Sequence, residues 1–356
     1  MSTALQASPP LARRLLPKLL LSVGIGALFA WLVHRGGVPL IPPRAAFADV
    51  WWWGVAAYVP LLALTHFLRA ARWRLLVAPI KPLPLREVIA LNWIGFFAIF
   101  ALPLRLGEVV RPVLTKMREG IAVSAGLGTV AVERVVDGLL ASACVAWALF
   151  ALPRQPADGA LMRSLPVYGY AALAVFGAAF AALALFLWQR ERAVRLTEWM
   201  AGWVSPRLGR ALAGKVGSLA DGIRAIGNVR LGLGFLLESI AYWGVNAAGM
   251  WVLGRACGIP LEPGHAVALM GILAIGILLP TGPGLFGNFQ LAVTAALKLY
   301  FAGTVVGSAG AVYVFLLYAI QASFIVVSGV VPLYAMHISL GDVLRVAPTP
   351  TDAATG

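Results

Sequence analysis

Six stretches of this chain each run for roughly 20 residues with few or no charges, the length a helix needs to cross the hydrocarbon of a bilayer. They are Leu15 to Val33, Trp51 to Leu68, Val132 to Leu152, Pro166 to Trp188, Leu231 to Leu253 and Ser308 to Met336. Lipid offers nothing for backbone N–H and C=O groups to bond, so stretches of this kind fold as helices. The expected class is an all-α polytopic membrane protein. Composition agrees, with 61% of the 356 residues apolar and 12% charged. A soluble domain carries about 25% charge, and so sparse a set cannot coat a soluble surface or keep a chain disordered. Cys144 and Cys257 lie far apart in apolar surroundings and imply neither a disulfide framework nor a metal knuckle. Arg13 and Arg14 precede the first stretch as they would a signal segment, but its length fits a retained anchor better.

Two more apolar stretches, Leu85 to Leu102 and His265 to Leu279, differ in kind. Each ends in proline followed by glycine-bearing polar sequence, Pro103-Leu-Arg-Leu-Gly-Glu108 and Pro280-Thr-Gly-Pro-Gly-Leu-Phe-Gly-Asn288. A helix meeting such a break is poorly placed to finish a crossing, so both stretches read as re-entrant helical hairpins surrounded by protein or a wet cavity.

Charge fixes an orientation. The positive-inside rule places Lys and Arg in excess on the cytoplasmic side. If both hairpins return to the side they entered, 22 of the 28 Lys and Arg share one side, leaving Arg35, Arg44, Arg154, Arg163, Arg255 and Lys298 on the other. Both termini are then cytoplasmic. The net charge of +14 implies anionic lipid headgroups as the surface partner, not nucleic acid. Between the fourth and fifth spans, Leu208, Leu212, Val216, Leu219, Ile223 and Ile226 recur at helical spacing among cations. That pattern describes an amphipathic helix on the inner headgroup layer, or equally a linker helix packed on the cytoplasmic loops.

The two hairpins also resemble each other. Pro103 and Pro280 lie 177 residues apart, Leu91 and Leu269 lie 178 apart, and the orientation above sends the two units in opposite directions. An inverted-topology repeat places a substrate site at the repeat interface, among broken helices. The expected organisation is one transmembrane domain over 1–340, with repeats at about 51–152 and 231–336, an amphipathic cytoplasmic segment at about 190–230, and a short tail over 341–356.

Some motifs are coincidences. Gly282 to Gly287 spells G-x-G-x-x-G, but its flanks are apolar helix and no acid follows before Asp342. Gly209 to Lys215 begins a phosphate-binding loop, yet Val216 stands where Ser or Thr must hold magnesium. The four histidines lack metal spacing, so no cofactor or metal is expected. What remains is a set of ionisable residues inside apolar sequence: Arg105, Glu108 and Arg111 at spacing three, then Glu133, Arg134 and Asp137 at the start of the third span. A charge at the bilayer centre costs about 2.5–3.5 kcal/mol on the insertion scale, so such groups are paired and line pathways. One reading has Arg105 and Arg111 binding a phosphate, balanced by Glu108, Glu133 and Asp137; the other has ion pairs that only hold the hairpin. Glu238 is a further candidate in the fifth span. In the second hairpin Gly282 and Gly284 leave the backbone bare ahead of a helix beginning near Asn288 and Gln290, where free N–H groups favour an anion. Asn92, Asn246, Asn288, Gln290 and Gln321 also suit interhelical hydrogen bonds.

Arg69-Ala-Ala-Arg72-Trp73-Arg74, Arg105-Leu-Gly-Glu108-Val-Val-Arg111, Glu133-Arg-Val-Val-Asp137 and Pro280-Thr-Gly-Pro-Gly284 with Phe289-Gln290 follow in order. In this the chain resembles the transmembrane region of lysylphosphatidylglycerol synthases, the flippase half of the multiple peptide resistance factor. The resemblance implies a translocase of a phosphate-bearing lipid in a bacterial inner membrane, with Arg69 and Arg72 added to the candidate substrate contacts. The synthase itself carries a soluble aminoacyltransferase domain after its last span, whereas 20 residues follow Met336 here, so chemical catalysis is not expected. Gln290 stands where many relatives carry an acid, a departure that bears on proton or cation coupling there. Other branches are linked to hopanoids or polyprenyl-linked sugars. A membrane-embedded transferase and an accessory subunit of lipid or glycan assembly are the alternative functions.

Overall fold

Proline, glycine and short polar caps punctuate an all-helical chain. The computed structural model describes residues 20, 23–24, 26–31, 34–35, 39–102, 107–153, 160–203, 205–278 and 283–338. Eleven principal helices follow residue 50 among them: α1 Trp52–Val77, α2 Leu85–Ala101, α3 Val110–Glu119, α4 Val123–Ala151, α5 Ala160–Trp188, α6 Arg190–Gly202, α7 Pro206–Ile223, α8 Val229–Ala256, α9 Pro263–Gly276, α10 Asn288–Tyr300 and α11 Gly303–Ala335. Pro84 precedes α2, Pro206 and Pro263 open α7 and α9, and Gly120 ends α3 with φ 73°, a conformation glycine adopts without strain. Asn228 caps α8 by accepting from the backbone N–H of Arg230 and Leu231.

Among the described residues, four helices are long and apolar enough to cross a membrane: α1, α4, α5 from Val167 onward, and α11. Helix α8 has 28 residues, but Glu238, Ser239, Tyr242, Trp243 and Asn246 make it more polar than these. The first apolar run lies only partly among the described residues. Helix α5 sits at the periphery, with nothing in its most apolar window buried.

The Pro-Gly breaks mark two places where the chain folds back. In the first, α2 and α3 are antiparallel: Lys81 pairs with Glu119 at 2.8 Å and Glu87 with Arg118 at 3.0 Å at one end, while Gly107 lies directly on the Ala98 backbone at the other. In the second, the His265 ring lies 5.3 Å from that of Tyr300, and Asn288 Nδ2 donates to the Gly276 carbonyl at 2.7 Å. The second tip reaches the first hairpin. Gly284 packs against the Phe100 ring, and the Tyr318 hydroxyl donates to the Gly284 carbonyl at 3.0 Å.

Packing relates the two halves by exchange. Helices α1 and α8 run antiparallel along their whole length, from the Trp51 N–H on the Ala256 carbonyl to Leu75 beside Gly234. Helix α4 of the first half packs on α9 of the second, and α11 of the second packs on α2 of the first. Gly271 sits against the Ala141 carbonyl, and Gly329 against Phe97 and the Trp93 carbonyl. Small residues let these backbones approach, as expected of helices that associate without a hydrophobic driving force.

The 190–230 segment is a pair of helices, α6 and α7, joined by an ion pair between Arg190 and Asp221 at 2.8 Å. The face of α7 that is buried carries Gly209, Ala213, Ala220 and Gly222 with Ile223, while Leu208 of the leucine stripe is 41% exposed. Gly222 and Gly128 bring α7 onto α4.

Candidate functional site

The ionisable residues of α1, α3 and α4 converge. In α1, Leu62, Thr65, His66, Arg69 and Arg72 recur at positions i, i+3, i+4, i+7 and i+10, which puts them on one helix face. In α4, Glu133 and Arg134 stand four and three residues before Asp137, and in α8 Ser239, Tyr242, Trp243 and Asn246 recur at i, i+3, i+4 and i+7. These faces line a partly open cavity of about 160 Å³ that α9, α11 and the second hairpin tip also border. His66, Arg69, Arg134, Asp137, Asn246 and Gln321 are its polar lining, and Leu285 at the tip lines it with φ 58°, a left-handed conformation uncommon outside glycine.

Asp137 is the hub of one network. It accepts from Arg72 at 2.7 Å and from the Trp243 indole at 3.2 Å, with Arg134 3.8 Å away. Arg72, wholly buried, also donates to the Ser239 hydroxyl at 2.8 Å and lies over the rings of Tyr242 and Phe235. Both carboxylate oxygens and both guanidinium arms are thus occupied, linking α1, α4 and α8.

A second network stands behind the first. Arg111 of α3 donates to Asn92 of α2 and to Glu133 of α4, and its guanidinium lies over the Trp73 ring, whose N–H donates to Thr129 at 3.0 Å. This pins the first hairpin to α4. A recess of about 10 Å³ bounded by Gly107, Glu108, Arg111 and Arg134 separates it from the main cavity, with Arg134 forming the common wall.

The cavity itself is short of partners. His66 Nδ1, Arg69 Nε and Arg134 Nε are buried without a hydrogen-bond partner among the described residues. Arg69 forms no ion pair there and stacks on the Phe96 ring at 4.3 Å. Buried polar atoms are nearly always satisfied by protein, water or ligand, so three orphans on residues that line one cavity are what a polar ligand there would satisfy. Two of the three belong to guanidinium groups, which favour an anion.

Of the residues expected from sequence, Arg69, Arg134 and Asp137 line the cavity, Arg72 abuts it, and Glu108, Arg111 and Glu133 lie in or behind the adjoining recess. Glu238 stands apart, 3.6 Å from Arg74 and partly exposed. Asn288 and Gln290 are buried and serve the second hairpin itself, Gln290 accepting from the Gly287 N–H at 2.7 Å. Gly284, with φ 70°, shapes the tip. Arg105 and Gly282 lie outside the described residues. His66, Tyr242 and Trp243 were not foreseen, although the step of three from His66 to Arg69 and on to Arg72 places the histidine on the cationic face.

No curated protein and no solved structure matches the chain. The family model of the lysylphosphatidylglycerol synthase transmembrane region matches residues 19–329, which takes in both helical hairpins, both charged networks and the cavity between them. The chain is a membrane protein that belongs to the lysylphosphatidylglycerol synthase transmembrane-region family.

Proposed function

We propose that this protein is a translocase that carries a phosphate-bearing lipid between leaflets of a bacterial inner membrane, exposing its cavity alternately to the two sides. The observation that carries this reading is the set of orphan nitrogens of His66, Arg69 and Arg134 around a cavity built by both halves. A phosphate supplies the acceptors those nitrogens lack. Arg69 and Arg134 are the phosphate contacts in this scheme, and Arg111 with Glu133 is the brace that holds the first hairpin against α4.

Geometry gives the cycle a means. Helices α3 and α10 have 10 and 13 residues, so at 1.5 Å per residue they extend about 15 and 20 Å, short of a hydrocarbon core of about 30 Å. Read as re-entrant, the hairpins meet tip to tip at mid-depth, where Gly284 touches Phe100. Parting these tips opens the cavity to one side, and rocking the halves about the α1–α8 pair opens it to the other. With the termini cytoplasmic, both leaflets meet a cavity of the same residues.

The test uses purified full-length protein in sealed vesicles containing a trace of phosphatidylglycerol labelled on one acyl chain with a fluorophore. A membrane-impermeant reductant bleaches only outer-leaflet label in protein-free vesicles. Protein-containing vesicles are expected to lose the inner-leaflet label as well, with the lipid mass unchanged. Bleaching confined to the outer leaflet overturns the translocase, and a new lipid mass assigns a transferase instead.

A further inference from the structure

Helix α6 carries an exposed face that the cavity does not use. Arg192, Arg195, Leu196, Trp199, Met200 and Trp203 recur at i, i+3, i+4, i+7, i+8 and i+11, which puts them on one side of the helix. All six are exposed, the four apolar ones by more than half, and the rings of Trp199 and Trp203 meet edge to face at 4.8 Å. Glu191 and Glu198 fall outside this face, and no residue of α6 is buried. Contiguous apolar side chains of this kind mark a surface that meets something apolar.

The chain fixes the level at which that surface stands. The apolar run of α5 from Val167 to Trp188 has 22 residues, about 33 Å of helix, which matches a hydrocarbon core of about 30 Å. Trp188 is exposed, and only Gln189 separates it from Arg190 at the start of α6. The return helix is held at the same place, through the Arg190 and Asp221 pair at 2.8 Å and through Gly227 beside Leu187. Both ends of the α6–α7 pair therefore lie where a lipid-facing helix ends.

Charge identifies the partner. Arg192 and Arg195 form no ion pair among the described residues, and the face holds no acid. A second copy of the face would bring apolar surface but nothing anionic to meet these arginines. A headgroup layer supplies both, phosphate for the guanidinium groups and upper acyl chains for the indoles, the level at which tryptophan collects in membrane proteins.

We propose that α6 lies in the headgroup layer of an anionic leaflet, with Arg192 and Arg195 on lipid phosphates and Leu196, Trp199, Met200 and Trp203 among the upper acyl chains. The leucine stripe of α7 is not this face, since α7 turns its small residues to its neighbours and leaves the lipid contact to α6. The proposal is independent of what the cavity carries.

The test uses the full chain in a background without native cysteines, with Met200→Cys or Glu198→Cys carrying an environment-sensitive fluorophore. The protein is placed in nanodiscs of phosphatidylcholine, alone or mixed with phosphatidylglycerol, with lipids brominated near the top of the acyl chain as quenchers. With phosphatidylglycerol present, the label on Met200→Cys is expected to emit to the blue of that on Glu198→Cys and to be quenched at least twice as strongly. Each basic residue near an anionic surface strengthens attachment about fivefold, so Arg192→Gln with Arg195→Gln, or high salt, should return the quenching towards its value in phosphatidylcholine alone. Water-like emission from Met200→Cys overturns the proposal, as does quenching that is equal with and without phosphatidylglycerol. A blue-shifted label that brominated lipid fails to quench also overturns it, because protein then covers the face, and the oligomeric state in detergent tells a second copy from a segment of the same chain.

Discussion

Arg72 and Asp137 meet at 2.7 Å with the arginine side chain wholly buried, and their contact ties α1 to α4 while Ser239 and Trp243 tie both to α8. Removing one partner of a buried ion pair leaves the other uncompensated, which costs about 3–5 kcal/mol. Asp137→Asn is therefore expected to lower the melting temperature of the detergent-solubilised protein sharply. Thermal unfolding followed by size-exclusion chromatography checks this, and a melting temperature equal to wild type would show the pair to be dispensable.

Arg111 is expected to behave as a brace. Its fork reaches Asn92 and Glu133 together, a geometry lysine does not reproduce. Both Arg111→Gln and Arg111→Lys should reduce the yield of monodisperse protein, while lipid movement per folded molecule stays near wild type. Loss of movement at full yield would return Arg111 to the substrate.

The contact of α7 with α4 depends on bare backbone. A Cβ at Gly222 falls 2.1 Å from the Ala125 carbonyl oxygen, and one at Gly128 falls 2.4 Å from that of Leu219, whereas Gly214 of α7 has open space. Gly222→Ala should cost about 1–3 kcal/mol through overpacking. Gly214→Ala should be neutral or stabilising by up to about 1 kcal/mol through helix propensity. Limited proteolysis of the 190–230 segment reads both, with faster cleavage expected for Gly222→Ala alone.

The charge partition predicts that the 190–230 segment and Gly258 face opposite sides of the membrane. In a background without native cysteines, Gly214→Cys, at an exposed position with open space around it, should react with an impermeant thiol reagent only after the inner face is exposed, and Gly258→Cys in intact cells. Labelling of both from one side would refute the orientation.

Much of the architecture was legible because lipid leaves a chain few choices. Long apolar runs announce apolar helices, of which four among the described residues are long and apolar enough to cross a membrane, and the Pro-Gly breaks fall between antiparallel helices. Charges in apolar sequence announced Arg134 and Asp137 in the same way, whereas Arg69 entered through the family resemblance. The face of α7 was harder to read. Hydrophobic periodicity picked out Leu208 and Leu212, but helices of a membrane protein pack through small residues, and Gly209 and Ala213 are the buried ones. His66 and Trp243 carry neither a fixed charge nor a chain break, so only the folded arrangement of α1 beside α8 reveals them as cavity walls. The division of labour between Arg111 and Arg69 was also hidden, since spacing alone does not say which arginine finds a carboxylate.

The central claim is that Arg69 and Arg134, which line the cavity, and not Arg111, which braces the first hairpin, carry the phosphate. Movement of acyl-labelled phosphatidylglycerol in vesicles, normalised to folded protein, tests it directly for wild type, Arg69→Gln, Arg134→Gln and Arg111→Gln. A hydrogen bond to a charged group contributes about 1.5–3 kcal/mol, so each cavity substitution should slow movement by about ten- to a hundredfold where substrate binding limits the rate. Arg111→Gln should move lipid at the wild-type rate per folded molecule. An active wild type with undiminished movement in both Arg69→Gln and Arg134→Gln would contradict the account.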